Sequence, residues 1–304
     1  MTGILTICGG VGLFLLGMHM LADGLRVMAG AGLRDVLARF TRSPARGALA
    51  GTAATAALQS SSAVTVMTVG FVGAGLMTFP QAVGVILGAN IGTTLTGWIV
   101  AVVGFKMQLG LTALPLLLAG VLARMFARGR AAQAGWALAG FSLIFIGIDM
   151  LQEGMAGFEG AVSPASFPDD TALGRAQLAL IGLAATVVMQ SSSAAMATAL
   201  AAMTAGAIDF PQAAAMVIGM NVGTTVTVAL VSLGGSTAMR RTALAHVLFN
   251  VMTGAVAFAI LDPFTALMVA VTPGEGVGEA QLALVGFHSA FNVVGVAAVL
   301  PFAG

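Results

Sequence analysis

The sequence QSSSAVTVMTVG, residues 59–70, brings an amide and three hydroxyl side chains into an intensely apolar chain. The same four letters return in QSSSAAMATALA, residues 190–201. Polar side chains are costly in hydrocarbon unless they have partners. Each copy therefore has to bind something, and the recurrence predicts one site that both copies share.

Composition places the chain in a lipid bilayer. Hydrophobic residues make up 59% of 304 residues, charged residues make up 8%, and the mean hydropathy is +1.03. Soluble domains carry roughly 25% charged residues. We therefore expect an all-α integral membrane protein. The first residues, MTGILTICGG, lack the positive start of a cleavable leader, so we interpret them as a retained membrane helix.

Charge and residue counts exclude several classes of function. A formal net charge of +1 without a dense basic run gives no reason to expect a nucleic-acid partner. The single cysteine, Cys8, excludes an intrachain disulfide, and the three histidines are too scattered for a metal cluster. No nucleophile–base pair is recognisable, so we expect neither an enzyme nor a cofactor.

The chain is an internal duplication. Aligning residues 59–96 with 190–227, a shift of 131, gives 17 identities in 38 positions. Residues 13–25 and 143–155 align at a shift of 130. We therefore divide the chain into a first membrane repeat, 1–130, and a second, 131–304, which also carries the C-terminal helices.

Positive charge indicates that the two repeats are inverted. Residues 26–46 contain five arginines and one aspartate, whereas the equivalent residues 156–175 contain three carboxylates and one arginine. Positive residues stay cytoplasmic, so equivalent ends face opposite sides of the membrane. The same rule predicts an N-terminus outside and a cytoplasmic C-terminus, and we expect the protein in the cell (inner) membrane.

Two apolar segments are too short to cross the membrane twice. Segments 47–75 and 176–206 are each about 30 residues long with a polar centre, whereas two spans need about 40 residues. We predict that each is a re-entrant helical hairpin, which also places the basic segments inside. We predict the remaining helices near 4–25, 80–104, 108–123, 133–152, 211–233, 242–261 and 281–301, with a short apolar piece at 264–272.

The motifs GANIGTT (88–94) and GMNVGTT (219–225) place two glycines around an asparagine within apolar helical runs. Glycine weakens a helix interior, and Asn and Thr can bond to freed backbone groups. We therefore predict a broken transmembrane helix in each repeat, with an anion at one half-helix N-terminus. The alternative is a glycine-lined packing seam between helices.

A further motif, His-x-x-Phe-Asn, occurs at residues 246–250 and 288–292. Its His and Asn share one helical face, where they either tie helices together or serve a site. Asp149 occupies the place that His19 holds in the other repeat, and an interfacial role is the simpler interpretation for both.

With these motifs in view, the chain resembles the sodium/phosphate cotransporter family. The paired QSSS runs, each followed about 30 residues later by Asn-[Ile/Val]-Gly-Thr-Thr, together with the downstream His-x-x-Phe-Asn, carry the resemblance over most of the chain. It implies Na⁺-driven uptake of inorganic phosphate. It also implies a cytosolic domain or partner similar to phosphate-uptake regulators, and it leaves a homodimer open.

The resemblance carries over to the following residues of this chain. The implied phosphate site comprises Ser60, Ser61, Ser62, Ser191, Ser192, Ser193, Thr93, Thr94, Thr224 and Thr225. The implied sodium site comprises Gln59, Gln190, Ser60, Ser191, Asn90, Asn221, Thr94, Thr225 and Asn250.

The sequence leaves three functions to compare. The leading hypothesis is alternating-access import of phosphate with sodium as coupling ion. Generic hydroxyl and amide donors leave open a symporter of sulfate, arsenate or a small carboxylate. A non-transporting membrane scaffold or phosphate sensor belongs to another class, and intact polar motifs in both repeats argue against it.

Overall fold

The computed structural model describes residues 2–41, 43–106, 110–158, 161–271 and 277–303, and these residues form helices without a β-strand. Among the described residues, seven helices are long and apolar enough to cross a membrane: Thr2–Gly30, Phe79–Gly104, Gly129–Ala156, Ala172–Met189, Phe210–Ser232, Thr237–Ala259 and Gly278–Phe302. The prediction of an all-helical, multi-pass membrane protein is confirmed. Arg42 and Glu159, which entered the charge comparison, and residues 272–276 lie outside the described residues.

Twelve α-helices make up this part of the chain. They are α1 (Thr2–Phe40), α2 (Pro44–Leu58), α3 (Ser61–Gly73), α4 (Phe79–Trp98), α5 (Gly110–Phe126), α6 (Gly129–Ala156), α7 (Ala172–Met189), α8 (Ser192–Thr204), α9 (Phe210–Ser232), α10 (Thr237–Ala259), α11 (Leu261–Val271) and α12 (Val277–Val299). A π-helical segment, Ile99–Lys106, continues α4, and short 3₁₀ turns lie at Pro164–Ser166 and Leu300–Phe302. The residue-130 division falls at the junction of α5 and α6.

Helices α1 and α6 pack antiparallel through glycines spaced seven residues apart. A Cβ added at Gly17 would lie 2.6 Å from the carbonyl oxygen of Gly140, and one at Gly10 would lie 2.9 Å from that of Gly147. Only glycine allows helix backbones to approach so closely. The membrane part of α1 ends at Gly30, whose φ of 53° interrupts the helix.

Helix α2 runs parallel to α4, and α7 runs parallel to α9. A Cβ at Gly88 of α4 would lie 1.8 Å from the carbonyl oxygen of Ala48, and one at Gly84 would meet Pro44. In the second repeat, a Cβ at Gly219 would lie 1.7 Å from the carbonyl oxygen of Ala179. The close contacts therefore recur at the shift of 131 that aligns the sequences.

The chain reverses between α2 and α3, and again between α7 and α8. Because α2 and α4 start side by side and run in the same direction, α3 must return from the end of α2 to the start of α4. The two helix pairs span 44–73 and 172–204, within four residues of the segments predicted from the sequence. The reversals occur at Gln59–Ser60 and Gln190–Ser191.

The repeated FPQA sequence is a helix start. Pro80 occupies the first turn of α4, and Gln81 Oε1 accepts a hydrogen bond from the Thr78 backbone N–H at 2.9 Å. Gln212 Oε1 accepts from the Asp209 N–H at 3.1 Å in the same way. Such capping satisfies backbone donors that the first helical turn leaves free.

The prediction of broken helices at the Asn-Gly-Thr motifs is wrong. Helices α4 and α9 run without interruption through residues 88–94 and 219–225. The glycines are present because α2 and α7 approach closely there, so the packing seam is the correct interpretation. Backbone hydrogen bonds and this packing outweigh the roughly 1 kcal/mol by which glycine weakens a helix interior.

Candidate functional site

The two QSSS motifs form the tips at which the chain reverses. Gln59 (φ 52°) and Gln190 (φ 53°) are the two non-glycine residues with positive φ in the described part of the chain. Each ends one helix in the left-handed conformation that glycine usually supplies at this position. Ser60 and Ser191 then cap the next helices, accepting hydrogen bonds from the Ala63 N–H at 3.2 Å and from its repeat equivalent at 3.1 Å.

Both ends of each glutamine amide are hydrogen-bonded in the same way. Gln59 Nε2 donates to the Ala56 carbonyl at 2.6 Å, and Gln59 Oε1 accepts from Thr96 Oγ1 at 3.0 Å. In the second repeat, Gln190 Nε2 donates to the Val187 carbonyl at 2.6 Å, and Gln190 Oε1 accepts from Thr227 Oγ1 at 3.0 Å. These bonds connect each tip to its own helix end and to the neighbouring long helix, α4 or α9.

One small cavity lies between the two tips, and we call it the central cavity. Its volume is about 50 Å³. Its lining residues all carry hydroxyl or amide groups: Thr55, Gln59, Ser60, Ser61, Ser62, Thr93, Thr96, Gln190, Ser191, Ser192 and Ser193. The structure thus brings both predicted QSSS motifs together, without a charged side chain in the lining.

Several of these groups are free to bind a ligand. The side chains of Ser61, Ser62, Ser192 and Ser193 make no hydrogen bond within the described part of the protein, and Thr55 Oγ1 is buried without a partner. Helices α3 and α8 begin at the cavity, where the first backbone N–H groups of a helix have no internal partner. The site therefore combines free hydroxyls with two helix N-termini, which attract an anion.

The predicted site residues of α4 and α9 lie, with one exception, outside the central cavity. Thr93 lines the central cavity, whereas Asn90, Thr94, Asn221, Thr224 and Thr225 do not. The hydroxyls of these threonines donate to carbonyls of their own helices, for example Thr224 Oγ1 to the Asn221 carbonyl at 2.6 Å.

Asn250 belongs to a separate, buried amide cluster. Asn221 Nδ2 donates to Asn250 Oδ1 at 2.8 Å, and Asn292 Nδ2 lies 3.4 Å from Asn221 Oδ1. Asn250 and Asn292 are fully buried, and Asn292 Oδ1 has no partner. The His-x-x-Phe-Asn motifs therefore join α10 and α12 to α9, and the sodium role of Asn250 stays a prediction. No group of three metal-ligating His, Cys, Asp or Glu side chains occurs among the described residues.

Sequence reasoning missed Thr55 and Thr96. Both were detectable, because their equivalents at the shift of 131, Thr186 and Thr227, are also threonines. Thr96 lies in the repeated Gly-Thr-Thr-x-Thr sequence, but the prediction stopped at the adjacent pair of threonines.

Similar proteins occur in bacteria. The chain is 32% identical over 292 residues to "Uncharacterized protein YqeW" of Bacillus subtilis (strain 168), covering 95% of this chain and 91% of that protein. It is 30% identical over 307 residues to "Putative inorganic phosphate export protein YjbB" of Escherichia coli (strain K12), covering 99% of this chain. The chain spans about half, 54%, of the length of YjbB.

No solved structure matches the chain. The sequence model of the Na⁺/Pi-cotransporter family matches residues 13–153 and 171–287, which include both QSSS motifs and both Asn-Gly-Thr motifs. The resemblance inferred from those motifs is confirmed, and the chain belongs to the Na⁺/Pi-cotransporter family.

Proposed function

We propose that the chain is a sodium-coupled secondary transporter of inorganic phosphate, with both ions bound in the central cavity. The observation that carries the proposal is that two QSSS motifs from different repeats line one small, uncharged polar cavity. Its free hydroxyls and helix N-termini suit an oxyanion. Its amide oxygens, and the carbonyls where α2 and α7 end, suit Na⁺.

The size of the cavity favours an inorganic ion over an organic substrate. One buried water needs roughly 10–15 Å³ of such volume, whereas organic ligands occupy pockets of about 300–1,000 Å³. A cavity of about 50 Å³ has room for a small polyatomic ion.

The neutral lining is the reason to couple phosphate to a cation. An arginine or lysine could neutralise a bound phosphate, but neither is present in the lining. A buried net charge is expensive in a membrane. Sodium bound beside phosphate supplies the missing positive charge, so we expect the site to fill with both ions or with neither.

We propose that the repeats are inverted and that α2–α3 and α7–α8 are re-entrant hairpins. The equivalent helices α1 and α6 pack antiparallel, and both chain reversals lie at the central cavity, which supports this arrangement. It gives an N-terminus outside and a cytoplasmic C-terminus. Alternating access then exposes the tips to one side at a time.

We propose import as the direction under an inward sodium gradient. The name of the YjbB relatives favours a second candidate, phosphate export. A secondary transporter moves its substrate in the direction that the combined gradients dictate, so the same site serves either direction.

Labelled phosphate in proteoliposomes tests the proposal. We expect uptake under an inward Na⁺ gradient, little uptake when choline replaces Na⁺, and weak competition by sulfate. Equal uptake with and without Na⁺ would refute the coupling, and stronger competition by sulfate would refute the substrate. Efflux from phosphate-loaded vesicles without sodium, exceeding sodium-driven uptake, would favour export.

A further inference from the structure

A second cavity lies directly behind the tip of the first repeat, and we call it the side cavity. Its volume is about 290 Å³. It is lined by apolar residues of α1, α2, α6 and the start of the π-helical segment, including Leu21, Val100 and Phe145. Gln59 and Thr96 line both the side cavity and the central cavity. Their mutual hydrogen bond therefore forms part of the wall between a polar and an apolar space.

We propose that Thr96 and Thr227 are positioning residues that hold the tip glutamines toward the ligands, and that the Thr96–Gln59 bond separates the central cavity from the side cavity. The expected effect on ion binding rests on the proposed function, but the separation of the two cavities does not. Nothing in the QSSS motif supplies this contact, because Thr96 reaches Gln59 from α4, 37 residues along the chain.

The physical reason is that the side cavity offers the Gln59 side chain a second orientation. Gln59 Oε1 accepts one hydrogen bond from Thr96 and has a second lone pair for a ligand. Without the threonine hydroxyl, only the bond from Gln59 Nε2 to the Ala56 carbonyl holds the amide, and the side cavity has room for the oxygen end to turn away. Gln59 would then no longer present its oxygen to an ion in the central cavity.

The two repeats should respond unequally. Thr96 is 4% exposed and Gln59 is half-buried, so a lost bond there cannot readily be replaced by water. Gln190 is exposed and Thr227 is half-buried, so the bond in the second repeat is less enclosed than the bond in the first. A buried group left without its partner suffers the larger penalty.

Valine replaces the threonine hydroxyl at nearly constant shape, and serine keeps it. In proteoliposomes, Thr96→Val should raise the sodium concentration for half-maximal phosphate uptake about fivefold to tenfold, as expected for one buried hydrogen bond, with little change in kcat. Thr96→Ser should restore the wild-type value, and Thr227→Val should raise it about twofold or less.

Thr68→Val is the matched control. Thr68 is also buried, but its hydroxyl donates only to the Val64 carbonyl of its own helix, at 2.7 Å. A sodium requirement in Thr96→Val equal to that of Thr68→Val, or Thr96→Ser behaving like Thr96→Val, would overturn the positioning role.

The wall can be tested without transport. Val100 lines the side cavity and is 1% exposed, so Val100→Cys in a Cys8→Ser background should react slowly with a membrane-impermeant thiol reagent. Adding Thr96→Val should speed the reaction at least fivefold, and adding Thr68→Val should not. An unchanged rate would show that the Thr96–Gln59 bond does not separate the two cavities. A faster rate in a protein whose wild type does not transport phosphate would support the wall and contradict the proposed function.

Discussion

Truncating Gln190 to alanine tests whether the two tips share one site. Gln190 and Gln59 both line the central cavity, so under the proposed function we expect a sodium ion between the tips to contact both amide oxygens. Gln190→Ala removes one oxygen and two hydrogen bonds, those to the Val187 carbonyl and from Thr227. Because Gln190 is exposed, its loss should affect ion binding more than folding.

The expected magnitude follows from the kind of contact that is lost. A hydrogen bond to a charged group contributes about 1.5–3 kcal/mol, which corresponds to a tenfold or larger change in affinity. Gln190 is less enclosed than Gln59, so the lower end applies at Gln190. We expect the sodium concentration for half-maximal uptake to rise about tenfold, although Gln59 remains.

The assay is labelled phosphate uptake into proteoliposomes at increasing external sodium. Gln177→Ala is the control, because Gln177 is exposed on the same helix and lines neither of the two cavities. If Gln190→Ala retains the wild-type sodium dependence and rate, one tip suffices and the shared-site reasoning is wrong.

Three further predictions concern the anion, the packing and the charge of the cycle. Ser192→Ala should raise the phosphate KM more than Thr224→Val, because Ser192 lines the cavity with a free hydroxyl and Thr224 does not; equal effects would contradict this. Gly88→Ala should lower the free energy of unfolding by about 1–3 kcal/mol, because the added Cβ would overlap with the backbone of α2. Gly70→Ala, which has open space for a Cβ, should leave the free energy of unfolding unchanged, and calorimetry distinguishes the two variants. A neutral cavity favours two Na⁺ per HPO₄²⁻, so valinomycin-clamped negative potential should not stimulate uptake, and several-fold stimulation would refute neutrality.

Local signals explain why the helix pairs could be located from the sequence. Ser43 caps the start of α2, and the FPQA sequence forms the first turn of α4 and of α9; such starts depend on neighbours only three residues away. Each stop coincides with the polar tip. The repeat made two of these signals stronger, because the FPQA sequence and the QSSS tip each occur twice at the same shift.

The misplaced helix break has a different origin. Glycine at position 88 is compatible with a weak helix and with a close neighbour, and the two interpretations differ only in what lies beside it. The neighbour is the Ala48 carbonyl, 40 positions earlier in the chain. A local pattern carries no information on such a contact, and the same limit concealed the contact between Thr96 and Gln59.

The helices break at two glutamines, a residue type that the left-handed conformation disfavours. A left-handed conformation costs a side chain roughly 1–2 kcal/mol relative to glycine, yet both tips have glutamine. Two hydrogen bonds on each amide, at about 0.5–1.5 kcal/mol each, offset that cost. Glycine would remove the strain, but it would also remove an oxygen from the central cavity and the contact with α4 or α9. Strain kept at equivalent positions in both repeats therefore supports the proposal that the tips are the functional centre.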